Sequence, residues 1–274
     1  MRWFALIILT CLSGMPLYAK TVECRFAKRT TVHKLPGNFV LRLTPIDIES
    51  TADGCRAKLI DSNKKTVYSV TDWDLAVVLS GQDVNGDGIP DIVLEGYSGG
   101  AHCCWTYYIV SLGTKPGLLF KFENDRGADF VVNRQTGKME IQALDGAFDY
   151  FDDSCHACSP FPDVYLRLEG RKLLDIGLEH VADYDKKIHT LRAEMPAKDL
   201  AVFMQAENAS EKVGLESATP VLNIVLAYLY SGRQTQAHRT LQKMWPPFDQ
   251  ERIWKLILET RREGILRYTR SRKN

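Results

Sequence analysis

The stretch Asp83-Val84-Asn85-Gly86-Asp87-Gly88-Ile89-Pro90-Asp91 gathers the densest set of ligand-type side chains in the chain. With Asp83 as position 1, oxygen-bearing side chains fall at positions 1, 3, 5 and 9, and a glycine at 6. Calcium takes six to eight hard oxygen ligands at about 2.3–2.6 Å. Alternate residues of a tightly wound loop can turn their oxygens toward one centre. Ile89, at position 7, would add its backbone carbonyl. Gly88 permits a sharp bend that a Cβ would oppose. Three carboxylates this close repel one another unless a cation lies among them. A plain polar turn is the competing interpretation, since Asp, Asn and Gly dominate turns with or without metal. Four oxygens in the correct spacing, together with the glycine, favour the cation. An EF-hand needs an acid at position 12 and a helix on each side. Here position 12 is Leu94, and Glu95 comes one residue late.

The second group of reactive residues is the cysteines. Seven occur, and Cys11 lies in the apolar N-terminal run. The other six are Cys24, Cys55, Cys103, Cys104, Cys155 and Cys158. An even number in an exported chain indicates disulfides, with fifteen possible pairings. Grouping along the chain favours Cys24 with Cys55, and the vicinal Cys103-Cys104 pair with Cys155 and Cys158. Neighbours in a strand point to opposite faces, so Cys103 and Cys104 would have different partners. A zinc or copper site from His102, His156 and thiolates is a further option, which an oxidising compartment disfavours. A redox Cys-x-x-Cys normally opens a helix in a βαβ setting, and no such pattern surrounds Cys155. Covalent haem is excluded in its usual form, because Ser159 and not His comes after Cys158.

Two enzyme signatures are present in part. Gly96-Tyr97-Ser98-Gly99-Gly100 fits Gly-x-Ser-x-Gly, but a nucleophile elbow needs a helix after the serine. The segment after it, 103–112, is aromatic and β-branched and therefore strand-like. Asp145, Asp149, Asp152 and Asp153, interleaved with Phe148, Tyr150 and Phe151, could serve a glycosidase, which requires two placed carboxylates. No phosphate loop or dinucleotide fingerprint occurs.

The elements that must position these residues fall into two zones. From about 21 to 179, short apolar or alternating runs recur at 39–43, 56–60, 75–79, 92–94, 105–112, 118–122, 130–132, 139–143 and 164–168. Turn residues separate them, as expected of an antiparallel meander. From about 197 the period becomes helical: 197–207, 221–230 after Pro220, 234–245 before Pro246-Pro247, and 249–266. The charged segment 182–196 reads as a linker.

The 274 residues suffice for two domains, and the net charge of +1 argues against a nucleic-acid role. Met1-Arg2, an apolar run over 3–12 and Leu17-Tyr18-Ala19 form a cleavable export signal, so the mature chain is expected in the periplasm or outside the cell. No stretch is long and apolar enough for a membrane span.

The loop at 83–91 resembles the integrin-type repeats known as FG-GAP or VCBS repeats, in which such a segment joins two strands and leads into an apolar run with glycine. Here that run is Ile92-Val93-Leu94-Glu95-Gly96. The resemblance implies that Asp83, Asn85, Asp87, the Ile89 carbonyl and Asp91 bind calcium. The usual Gly-Ala-Pro ending is absent. That family builds seven-bladed propellers, for which about 160 residues are too few at roughly 40–50 residues per blade. Tyr228, Gly232, Ala237 and Leu241 resemble the packing positions of one tetratricopeptide repeat, too few for a solenoid. The resulting expectation is an α+β protein. An antiparallel, propeller-like β-meander domain at 20–180 precedes a linker at 181–196 and a small helical domain at 197–274. Its expected role is calcium-stabilised binding of a protein or glycan partner. The alternative is an envelope hydrolase acting on carbohydrate or ester substrates.

Overall fold

The computed structural model describes Cys24 and residues 29–48, 52–100, 104–208 and 217–270. The segment expected to be an export signal, residues 1–19, lies outside these residues. Among these residues, twelve strands form three four-stranded antiparallel sheets, in each of which sequence neighbours pair. The first sheet holds β1 (Thr31–Lys34), β2 (Val40–Ile48), β3 (Ala52–Ile60) and β4 (Thr66–Asp72). The second holds β5 (Asp74–Gln82), β6 (Asp91–Tyr97), β7 (Trp105–Ser111) and β8 (Gly117–Asn124). The third holds β9 (Ala128–Val132), β10 (Met139–Leu144), β11 (Asp163–Glu169) and β12 (Lys172–Asp175). The architecture is therefore α+β with an antiparallel meander, and the sheets do not close into a barrel.

The second sheet is the middle layer, and its sequence explains why. Successive strand residues alternate faces. Ile92 and Leu94 of β6, with Tyr108 and Val110 of β7, pack in a core shared with Leu41, Leu43, Ala57 and Leu59 of the first sheet. Val93, Tyr107 and Ile109 point the other way, into a core with Ile141, Val164 and Leu166 of the third. Burial on both faces turns the usual alternation into the continuous apolar run Ile92-Val93-Leu94. Asp91, Val93 and Glu95 consequently share the face toward the third sheet.

Among the described residues, five helices follow: α1 (Val181–Glu194), α2 (Ala197–Met204), α3 (Ala218–Tyr230), α4 (Gln234–Met244) and α5 (Gln250–Glu263). None among the described residues is long and apolar enough to cross a membrane. The segment read as a linker is instead helix α1. It buries only Tyr184 and Ile188, one turn apart, so its apolar stripe is too thin to see among the charges. The core of the third sheet continues without a break into α3 and α5.

Cys24 and Cys55 are bonded, as the grouping suggested. The other preferred pairing is corrected: Cys155 bonds Cys158, so neither can bridge to the vicinal pair. Three residues of separation let a 3-10 turn over His156–Cys158 bring the two sulfurs together. Cys103 and His102 lie outside the described residues.

Candidate metal centre and adjoining cleft

The five expected ligands all lie on the β5–β6 connection. Gln82 pairs with Asp91 at the base of the hairpin, so eight residues make the turn. Gly86 and Gly88 take φ values of +76° and +79°, in the left-handed region that favours glycine. The loop is wound on its own acid groups. Asp83 Oδ1 accepts from the N–H groups of Gly86 (2.7 Å) and Asp87 (3.2 Å), and Oδ2 from Gly88 (2.7 Å). Asp87 Oδ1 accepts from the Ile89 N–H (2.9 Å), and Asn85 Oδ1 from Asp87 N–H (3.3 Å). The side chains of Asp83, Asn85 and Asp87 thus fold back on the loop's own N–H groups.

Asp91 differs from the others. It is fully buried, and Oδ2 accepts from the Val84 N–H at 2.8 Å. Oδ1 is buried with no hydrogen-bond partner. Burial, and secondarily the charges of Asp87 and Asp83, push its carboxyl up to about 6. An unpartnered buried oxygen costs about 1–3 kcal/mol, and more for a charged group. A cation on Oδ1 would remove that cost, so the donor set of one amide, three carboxylates and a carbonyl fits calcium. Among the described residues, no group of three or more His, Cys, Asp or Glu side chains is placed to hold a metal ion.

Asn85 fastens the loop to the third sheet. Its Nδ2 donates to the Gly170 carbonyl (3.1 Å), and its own carbonyl accepts from the Gly170 N–H (3.0 Å). Gly170 occupies the β11–β12 turn with φ +58°. The loop therefore clamps one end of the interface between the second and third sheets.

At the other end of that interface a cleft of about 440 Å³ opens. Carboxylates of Glu95, Asp129 and Asp163 and rings of Trp105, Tyr107 and Tyr165 line it. Tyr107 Oη donates to Glu95 Oε2 (2.7 Å) and accepts from the Ala128 N–H (2.7 Å), tying β6, β7 and β9 together. Burial raises the Glu95 carboxyl above the ordinary range. Such a mix of flat rings and carboxylates suits polyhydroxylated or cationic groups. The cleft residues come from strands β6, β7, β9, β10 and β11 and the turn before β9. Only β6 adjoins the loop in sequence, so periodicity gave no sign of them.

The enzyme signatures are dispersed. Ser98 sits in a strand-to-strand hairpin, where its Oγ accepts from the Cys104 N–H (2.9 Å). Asp145 is buried beneath Tyr230, Asp149 contacts His156 and Asp152 pairs with Arg252. Comparison of the chain with family models, with curated proteins and with solved structures gives no match.

Proposed function

We propose that the chain is an exported, calcium-stabilised, disulfide-bonded binding protein, which takes a protein or glycan partner in the cleft between the second and third sheets. The observation that carries the reading is Asp91 Oδ1, buried and unpartnered inside a loop of inward-facing oxygens. Asp83, Asn85, Asp87, the Ile89 carbonyl and Asp91 would hold the ion. Bound calcium would offset the repulsion among the three aspartates and fix the Asn85–Gly170 contact. Because Asp91 and Glu95 stand on the same face of β6, a loop fixed at one end of the strand sets the spacing of the cleft at the other. Export accords with the two disulfides, which persist in oxidising compartments.

The test is thermal unfolding with excess calcium and with chelator, on the wild type and on Asp87→Ala and Asp91→Asn. A ligand at 100 times its dissociation constant stabilises the folded state by about 2.7 kcal/mol. Calcium should raise the melting temperature of the wild type and leave both variants unmoved. No response in the wild type would sink the reading. The hydrolase alternative draws on the same cleft, because half-buried Glu95 is a carboxyl held toward its protonated form. Unchanged turnover in Glu95→Gln, on any glycoside or ester the protein cleaves, would exclude it.

A further inference from the structure

We propose that Cys155–Cys158 is a thiol–disulfide exchange site that oxidises a dithiol. The two disulfides among the described residues differ in what governs exchange. Cys24–Cys55 joins positions 31 apart, and both cysteines are fully buried. Cys155–Cys158 joins positions 3 apart, and both cysteines are exposed. Closure of so short a ring constrains the unfolded chain little, so the bond has a small structural role. Exposed disulfides are the more oxidising and the more readily exchanged.

The turn that carries the sulfurs is held by contacts that do not need the bond. Ser159 Oγ accepts from the Tyr150 N–H (2.7 Å) and donates to the Cys155 carbonyl (3.0 Å). Thr219 Oγ1 of α3 donates to the Cys158 carbonyl (2.6 Å). Asp152 takes a two-pronged ion pair from Arg252 of α5, at 2.6 and 2.9 Å. His156, between the cysteines, is fixed on both sides of its ring, with Nδ1 2.7 Å from Asp149 Oδ1 and Nε2 3.0 Å from Arg126. The Arg126 guanidinium rests over the Phe161 ring at 4.2 Å and also lines the cleft. Reduction would therefore leave the turn in place. The Cys158 N–H is shared between the Cys155 carbonyl (2.9 Å) and Cys155 Sγ (3.1 Å), and the second contact would help a thiolate there.

The exchange runs in two steps. A thiolate of the dithiol attacks Cys158 Sγ, the Sγ–Sγ bond breaks, and its electron pair leaves on Cys155, which takes a proton. The second thiolate of the dithiol attacks its own sulfur in the mixed disulfide. That forms the product disulfide and releases Cys158, which takes the second proton. Two electrons and two protons pass from the dithiol to the cysteine pair.

The full chain would be mixed without oxygen with a peptide bearing two cysteines, quenched in acid, alkylated and mapped by mass spectrometry. The expected result is alkylation at Cys155 and Cys158 with Cys24–Cys55 intact and an unchanged circular dichroism spectrum. Peptide oxidation should run about tenfold faster than with equimolar oxidised glutathione, the mark of a more oxidising or more accessible disulfide. The Cys155→Ser/Cys158→Ser double variant should lose this oxidation and keep its fold. Alkylation at Cys24 or Cys55 in place of Cys155 and Cys158, reduction only upon unfolding, a rate equal to that of glutathione, or full activity in the double variant would each overturn the proposal.

Discussion

Asp91 and Asp145 are both fully buried carboxylates, and the fold treats them differently. Asp145 Oδ2 accepts from Tyr230 Oη (2.6 Å), and Oδ1 from the N–H groups of Ala147 and Ile265, both at 3.2 Å. Where the fold buries this acid it partners both oxygens; at Asp91 it leaves one for something else. Replacing Asp145 by Ala strands a phenol and two amide N–H groups, which should cost about 2–4 kcal/mol in urea unfolding. Burial holds the Asp145 carboxyl above the ordinary range. The folded state therefore binds the proton more readily than the unfolded one. Its stabilisation is fully present below the unfolded value near 4 and declines as pH rises toward the folded value. The wild type's advantage over Asp145→Asn should accordingly be largest in acid and shrink toward neutrality, as read from unfolding curves across pH. At Asp91, Asn removes a buried unpaired charge, so in chelator at neutral pH Asp91→Asn should melt no lower than the wild type.

At the scale of elements, the β5–β6 turn depends on glycines with positive φ. Nothing lies within 4 Å of a Cβ built at Gly88, so Gly88→Ala meets only backbone strain, about 1–2 kcal/mol. Its calcium response should weaken along with its stability. The disulfides separate by ring size in the chain-entropy account. Removing Cys24–Cys55 should cost about 4 kcal/mol, and removing Cys155–Cys158 only about 2 kcal/mol. Matched Cys→Ser pairs compared by denaturant midpoint would check the order. Strands β4 and β12 escaped notice in the sequence for different reasons. β4 reads Thr-Val-Tyr-Ser-Val-Thr-Asp and none of it is buried, so it lacks an apolar run. β12 has four residues and one buried side chain, too few to show a period.

For the molecule as a whole, the third sheet is the hinge of the organisation. It meets the 83–91 loop on one side and the helices on the other, where Tyr184 Oη donates to the Asp163 carbonyl (2.8 Å). The chain end reaches the second sheet as well, since Tyr268 Oη accepts from the Glu123 N–H of β8 (3.1 Å). Among the described residues, the first sheet shares its core with the second. Chelation should therefore speed amide exchange in β6, the Gly170 turn and the cleft strands β9–β11, and leave β2 and β3 unchanged. Uniform acceleration would mean that the loop stabilises the chain without clamping this interface.

Local chemistry was legible in the sequence because it depends on neighbours a few positions away. The Asp, Asn and Gly of 83–91 name a polar turn, the alternation at 105–112 names a strand, and the glycines name the turns. The α+β order comes from the change of period near 197. Tertiary structure alone decided everything set by distant residues: the burial that leaves Asp91 Oδ1 without a partner, and the Gly170 contact 85 positions from Asn85. The same holds for the cleft assembled from both sheets. Pairing of Cys155 with Cys158 also had to be seen, because proximity in sequence permits a bond but only the conformation of the turn closes it. Side-chain type and spacing are written along the chain, whereas desolvation and inter-sheet distance exist only once the chain has packed.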